Sequence, residues 1–325
     1  MKILVVGGAG YIGSHTARVL RRAGFDVLIY DNLSTGFEFL AKGFEMVLGD
    51  VHDSKKLLEA LQRTDAVMYF AANHYVGESV INPRKYYRNN VEGGLSLLNT
   101  VVDAGKKHLF IFSSTCSVYG VPAKSPITED DPRVPCNPYG VSKVFFEEAL
   151  QSYDTAYGLP YASLRYFNAA GADESAEIGE CHDPEPHLIP LTLRAASGIG
   201  ELQVFGTDYP TPDGTCIRDY TNVVDLAEAH VIALQHLVAG KPSFTVNLGT
   251  GAGSSVKDVI RTVEEVTGKK VPIKIVPRRP GDPPSLVADP ARALKVLNWK
   301  TKRTLRDSVS TAWAWMQRQN AMARK

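Results

Sequence analysis

Residues 3–13 read Ile3-Leu4-Val5-Val6-Gly7-Gly8-Ala9-Gly10-Tyr11-Ile12-Gly13. The apolar, mostly β-branched run suits a buried strand, and glycines at 7, 10 and 13 suit a tight turn that enters a helix near Ile12. Such a turn lets a pyrophosphate approach backbone N–H groups at the helix N-terminus, and the last glycine lets the helix pack closely on the strand. A second apolar run, Val27-Leu28-Ile29-Tyr30, ends at Asp31, eighteen residues after Gly13. A carboxylate there accepts hydrogen bonds from the adenosine ribose hydroxyls and repels a 2′-phosphate, so the cofactor expected is NAD and not NADP.

The alternation continues along the chain. Strand-like runs at 3–6, 27–30, 44–48, 66–70, 109–113 and 161–167 are separated by helical stretches such as 12–23, 54–62, 83–104 and 139–157. This is the pattern of an α/β, doubly wound parallel (Rossmann) sheet. From Gly171 to Pro190 the chain turns acidic and rich in glycine and proline, which reads as a long loop leaving the sheet. Arg218–Val224 and Phe244–Leu248 look like further strands, and Asp225–Val238 like a helix capped by Asp225. The expected division is a dinucleotide-binding domain of residues 1–170 plus about 218–251, and a smaller α+β substrate lobe of about 171–217 plus 252–325 that ends in a helix over 304–319.

With 325 residues and 44% hydrophobic content the chain can bury a core large enough for two lobes. Lys and Arg (36) nearly balance Asp and Glu (35), with no basic block or aromatic–basic interleaving, so nucleic acid is not an expected partner. The N-terminal apolar run is too short to cross a bilayer and is accounted for as a strand; a cytoplasmic protein without a membrane partner is expected. Cys116, Cys136, Cys181 and Cys216 are scattered, as reduced thiols would be. The eight histidines show no metal-ligand spacing; His182 and His187 bracket a proline-rich acidic loop, yet no metal is expected.

Two further segments carry chemistry. In Asn137-Pro138-Tyr139-Gly140-Val141-Ser142-Lys143 the tyrosine and lysine, four apart, share a helical face. An ammonium there lowers the phenol's pKa and readies it for proton transfer. In Phe112-Ser113-Ser114-Thr115-Cys116-Ser117-Val118-Tyr119-Gly120 a hydroxyl at a strand end can bond an oxygen on the reacting carbon and pass its proton to Tyr139. Ser113, Ser114, Thr115 and Ser117 all qualify, and the residue pattern does not choose among them.

Over almost its entire length the sequence resembles the extended short-chain dehydrogenase/reductases and, within them, the UDP-glucose (UDP-galactose) 4-epimerases. The resemblance is carried by Gly7 to His15, Asp31-Asn32-Leu33-Ser34-Thr35-Gly36, Val76-Gly77-Glu78-Ser79-Val80, Tyr139 to Lys143, Arg165-Tyr166-Phe167-Asn168-Ala169-Ala170-Gly171-Ala172, Gly206 to Tyr220, and Arg278-Arg279-Pro280-Gly281-Asp282. It implies reversible inversion at C4 of a UDP-hexose through a 4-keto intermediate, with NAD recycled, a role in galactose metabolism, and a homodimer joined by helices 83–104 and 139–157. It also implies that Thr115, Tyr139 and Lys143 are catalytic, Lys143 holding the nicotinamide ribose as well. The NAD site would comprise Gly7, Gly10, Tyr11, Ile12, Gly13 and Asp31, Asn32, Leu33, Ser34, Thr35 and Gly36. Asp50 and Val51 would lie at the adenine, and Phe70, Ala71, Ala72, His74, Asn89 and Phe167 along the cofactor. Thr115, Asn168, His187, Leu188, Phe205, Arg218, Arg279 and Asp282 would line the nucleotide-sugar site, where arginines suit a diphosphate and Phe205 a uracil face.

His74 stands where some relatives carry lysine, and Leu286 where relatives carry tyrosine or cysteine at the sugar pocket. Both bear on fine specificity, and activity on a UDP-N-acetylhexosamine beside the hexoses is expected. UDP-xylose or UDP-arabinose, and UDP-N-acetylglucosamine, are the alternative substrates. A related 4,6-dehydratase needs an acid pair just after the threonine, where this chain has Cys116 and Ser117. A non-catalytic NAD-binding regulator would lack one of Thr115, Tyr139 and Lys143, all of which are present.

Overall fold

In the computed structural model, which describes residues 1–279 and 281–323, strands and helices alternate from the start of the chain. They run β1 (Lys2–Val6), α1 (Tyr11–Arg22), β2 (Asp26–Asp31), β3 (Glu45–Leu48), α2 (Ser54–Gln62), β4 (Ala66–Tyr69), α3 (Val76–Ile81), α4 (Pro83–Tyr86), α5 (Gly93–Asp103), β5 (Leu109–Thr115), α6 (Pro138–Tyr157) and β6 (Tyr161–Tyr166). The later elements are β7 (Asn168–Ala170), α7 (Leu188–Ala196), β8 (Leu202–Phe205), β9 (Ile217–Arg218), β10 (Tyr220–Asn222), α8 (Val223–Val238), β11 (Phe244–Leu248), β12 (Ser254–Ser255), α9 (Val256–Thr267), β13 (Ile273–Val276), β14 (Ser285–Leu286), α10 (Ala291–Leu297) and α11 (Leu305–Ala323).

Seven parallel strands form one sheet in the order β3-β2-β1-β4-β5-β6-β11, the doubly wound arrangement expected. Helices cover both faces, which is why β1 is apolar from Ile3 to Val6. Ile3 and Val5 pack with Leu20 of α1 and Leu226 and Leu234 of α8; Leu4 and Val6 pack on the other face with Leu57 and Leu61 of α2 and Leu97 of α5. Truncating Ile3 or any of these leucines to alanine costs about 2–5 kcal/mol. The strand order reverses between β1 and β4, so the ligand crevice of such a sheet opens where those strands end, at Gly7 and Phe70.

A second core joins Leu193 of α7, Val204 of β8, Val259 and Val263 of α9 and Val309 of α11. Part of the C-terminal stretch expected in this lobe lies elsewhere: Ala293, Leu297 and Trp299 belong to the core of the large sheet, and Trp299 Nε1 donates to Asp225 O at 3.2 Å.

Four local readings also differ. Helix α8 is capped by Asn222, whose side chain accepts from Val224 N at 2.9 Å; Asp225 is buried inside the first turn, where it pairs with Arg303 and accepts from the amides of Lys302 and Arg303. The strand expected over 218–224 divides into β9 and β10 in different sheets, because the buried carboxylate of Asp219 between them accepts from the amides of Thr250, Gly251 and Ala288. The run expected at 161–167 likewise ends at Tyr166, and β7 pairs with β10 outside the main sheet. The helix expected over 83–104 is interrupted by a π-helical stretch at Tyr87–Glu92.

Candidate active site

Gly7 takes φ +83°, and a Cβ on it would run into the backbone of Ala71; a Cβ on Gly13 would meet Gly7 O. The first turn of α1 is thereby brought flush against the loop. Its N-cap, Gly10, offers no side-chain hydrogen bond, so the helix's first N–H groups have no capping partner and face the crevice as an anion site.

Asp31 ends β2 beside this loop. One carboxylate oxygen accepts from Ala9 N at 2.9 Å and the other from Leu33 N at 2.8 Å; burial raises its pKa and these amide bonds oppose the rise. Ser34 N donates to Asn32 Oδ1 at 2.9 Å, Leu33 takes φ +57°, and Phe37 N reaches Ala9 O at 3.0 Å, folding 31–36, with exposed Thr35 and half-buried Gly36, against the glycine loop. Asn32 Nδ2 donates to Asp50 Oδ2 at 2.7 Å, next to buried Val51.

Across the crevice, the amides of Phe70 and Ala71 both donate to Val6 O, and Ala72 follows. His74 is pushed down to about 3 by burial and by the charges of His182 and His187, so it brings no positive charge where some relatives have lysine. Asn89 Nδ2 donates to Asn90 Oδ1 at 2.9 Å, and Asn90 in turn contacts Ser142 of α6 at 3.1 Å. Phe167 packs with Cys116, Val118 and Tyr119. An uncapped helix end for a pyrophosphate, a buried carboxylate for ribose hydroxyls and a largely apolar floor together fit NAD.

The acid/base residues converge at the ends of β5 and α6. Asn137 caps α6 by accepting from Gly140 N at 2.9 Å, and Pro138 fills the first helical position where its missing N–H costs nothing. Tyr139 and Lys143 follow on one face. Of the four candidate hydroxyls, Ser113 bonds the Tyr166 hydroxyl and Ser114 the Glu147 carboxylate at 2.6 Å. Ser117 faces Thr115, and Thr115 is the one of the four whose hydroxyl acts on Tyr139, favouring its ionised form.

The electrostatics differ from the sequence expectation. Burial raises the Tyr139 hydroxyl well above its ordinary value, and the Thr115 hydroxyl opposes that only in part. Lys143 does not lower it: Nζ donates to Ser113 O at 2.8 Å, lies 5.8 Å from the Tyr139 ring centroid, and is itself pulled down to about 7 by burial against the opposing charge of Glu147. To act as a base Tyr139 therefore needs a further positive charge near it, which the nicotinamide of NAD would supply.

On the sugar-nucleotide side, Asn168 opens β7, with its amide donating to Asp219 O at 3.0 Å, and Leu188 opens α7 after His187. Arg218 pairs with Asp282, and the Arg279 guanidinium sits 3.8 Å from the centroid of Phe205. Leu286 pairs in register with Arg218 and packs into the cluster of Cys116 and Phe167, which links it to the strand end at Thr115. Burial works against a charged His187, but Glu180 and Glu185 outweigh it and hold the ring up to about 10.

Sequence reading missed Glu147, which lies four residues past Lys143 and eight past Tyr139 on the same helical face. It is buried and accepts from Ser114, Ser163 and Arg165, with Arg133 at 3.2 Å. It also missed Glu180 and Glu185, which the loop brings to His182 and His187. Helical spacing would have found the first; no spacing rule finds partners within an irregular loop.

The model of the NAD dependent epimerase/dehydratase family matches residues 3–249. The chain is similar to the UDP-glucose 4-epimerase of Lactobacillus helveticus, 48% identical over 320 residues and covering 97% of each protein. Among solved structures, the UDP-glucose 4-epimerase from Brucella ovis in complex with NAD superposes with a TM-score of 0.94 at 49% identity, covering 96% of this chain and 97% of that one. The UDP-glucose-4-epimerase from Stenotrophomonas maltophila, with bound NAD and formylated UDP-arabinopyranose, superposes with a TM-score of 0.95 at 42% identity, covering 100% of this chain and 99% of that one.

Proposed function

The chain belongs to the NAD dependent epimerase/dehydratase family, and we propose that it interconverts UDP-glucose and UDP-galactose by inverting C4, with NAD as a recycled cofactor. The observation that carries this reading is the convergence of Thr115 at the end of β5 with Tyr139 and Lys143 at the start of α6, on the carboxyl edge of the sheet that also carries the glycine loop and Asp31. Bound NAD supplies the acceptor, and later the donor, of the C4 hydrogen with its electron pair.

Every other step falls to the chain. Tyr139 takes the proton of the sugar 4-hydroxyl, directly or through Thr115, and returns one when the 4-keto group is reduced. Lys143 holds the nicotinamide ribose. Arg218 and Arg279 take the diphosphate, with Arg279 leaving the Phe205 face to the uracil. Binding at the UDP end retains the keto sugar while the hexose turns over between faces. Asn168, His187, Leu188 and Asp282 complete this wall.

Elimination of water in the manner of a 4,6-dehydratase has no acid to serve it: burial pushes the Cys116 thiol up to about 12, and Ser117 is a hydroxyl. A dimer built on α3 to α6 is supported by exposed apolar residues there, among them Ile81 at 86% exposure, Val141 and Phe145. Among the described residues no helix is long and apolar enough to cross a membrane, and the cytoplasm is the proposed location.

The test is product analysis with a panel of UDP-sugars on wild type and Tyr139→Phe. Wild type should interconvert the two hexoses, and the variant should stay folded and NAD-loaded while losing at least about 100-fold in turnover. Near-wild-type turnover by the variant, or no UDP-hexose product from wild type, refutes the assignment.

A further inference from the structure

The connection between β7 and α7, residues 171–187, has almost no regular structure. Its backbone closes once, through the Ala172–Gly179 bridge and the bond from Asp173 N to Ile178 O. Connections of this length inside a folded domain usually carry function. Beyond that closure the loop folds so that Glu180, His182, Glu185 and His187 each offer a ligand atom within 4.8 Å of the others.

The geometry is specific. His182 Nδ1 stands 3.4 Å from Glu180 Oε1 and 3.5 Å from Glu185 Oε2. His187 Nδ1 stands 2.7 Å from Glu180 Oε1 and 2.9 Å from Glu185 Oε1. Both rings therefore turn the same nitrogen into the gap between the same two carboxylates. Hydrogen bonding inside the protein leaves part of this unexplained. The His182 side chain is only 9% exposed, and its buried Nδ1 has no hydrogen-bond partner although it points at two carboxylates that are themselves 6% and 7% exposed. A buried nitrogen without a partner is costly unless something occupies the gap it faces.

We propose that Glu180, His182, Glu185 and His187 ligate one divalent cation, zinc by their chemistry, that fastens this loop. Two imidazole nitrogens and two carboxylate oxygens suit zinc, whereas calcium and magnesium take oxygen ligands and soft metals select thiolates. Bonds of about 2.0–2.2 Å in a tetrahedron set donors roughly 3.3–3.5 Å apart. The two His182 spacings already match, and those of His187 open by about half an ångström on binding. Two carboxylates and two imidazoles balance the cation's charge once the metal displaces the protons on the ligating Nδ1 atoms to solvent. A cavity of about 130 Å³, bounded by Glu180, Cys181, His182 and Glu185 on the loop and by Leu193 and Trp315 on α7 and α11, gives an entry path. The fastened loop delivers His187 and Leu188 to the edge of α7. The site stands whether or not the chain is an epimerase.

Metal content tests it on NAD-loaded protein free of affinity tags, incubated with zinc and separated by gel filtration from excess metal. Wild type should retain about one zinc per chain, and His182→Gln and Glu180→Gln each less than about a tenth of that, with Cys181→Ser unchanged. Because a variant can fail through misfolding, X-ray absorption at the zinc edge of wild type is the second measurement, expected to show only nitrogen and oxygen neighbours near 2.0–2.2 Å. Wild type that retains no zinc, nickel or manganese, zinc retained equally by His182→Gln, or sulfur in the first shell would each overturn the proposal.

Discussion

Ser114 donates a 2.6 Å hydrogen bond to the buried carboxylate of Glu147, and the residue that follows Ser114 on β5 is Thr115. Glu147 also binds Arg165 through both oxygens and Ser163 at 3.1 Å, so it ties β5, β6 and α6 together one turn beyond Lys143. That tie fixes the strand that carries Thr115 against the helix that carries Tyr139.

Ser114→Ala removes one hydrogen bond to a charged group and should cost roughly 1.5–3 kcal/mol of stability. Turnover should fall while KM for the sugar nucleotide stays put, because the lost contact registers the strand end and touches no substrate. Glu147→Ala is the harsher change, costing about 3–5 kcal/mol by leaving Arg165 buried without its partner. Denaturant unfolding and steady-state kinetics read both. An unchanged kcat in Ser114→Ala would mean that the tie is structural only.

Asp31→Ala should weaken NAD retention by about ten- to a hundredfold, the worth of one or two hydrogen bonds to a charged group. Removing the carboxylate also removes its repulsion of a 2′-phosphate, so the preference for NAD over NADP should shrink. Cofactor content after gel filtration and titration with each dinucleotide measure this, and an unaltered preference would remove Asp31 from the ribose site.

His15 and His230 each bond a backbone carbonyl through Nδ1, those of Tyr11 and Leu226, and leave a buried Nε2 without a partner. Burial pushes both down to about 4. The unfolded chain therefore binds more protons between about pH 6.5 and 4, and the stability present above pH 6.5 is lost as pH falls through that window. Each ring contributes at most about 3 kcal/mol to the loss. Unfolding free energies measured across the window should slope less steeply in His230→Leu; an equal slope would contradict the burial assignment.

Much of this was legible in the chain. The glycine loop, Asp31 and the alternation of strands were written in local patterns, since an all-parallel sheet needs continuous apolar strands and a phosphate turn needs glycine. Tyr139 and Lys143 followed from helical spacing. The choice of Thr115 did not, because four hydroxyls share that segment and only the register of β5 against α6 separates them. The break at Asp219, the cap at Asn222 and the placement of Trp299 against α8 were hidden as well, since each depends on residues tens of positions away.

Leu286 fills more space than cysteine and less than tyrosine, and it packs against the cluster that adjoins Thr115. A keto sugar that turns over must clear its widest substituent in both orientations. Wild type should therefore epimerise UDP-N-acetylglucosamine more slowly than UDP-glucose, and Leu286→Tyr should lose the acetamido activity while keeping the hexose activity. If wild type shows no acetamido turnover and Leu286→Cys fails to create it, Leu286 does not gate the pocket.

UDP-galactose carrying deuterium at C4 tests the recycled-cofactor reaction most directly. The UDP-glucose formed should keep the deuterium at C4, with no net accumulation of NADH absorbance as product builds up, because the hydrogen that leaves one face of the sugar returns to the other. Loss of the label to solvent, or one NADH formed for each product molecule, would contradict a 4-epimerase.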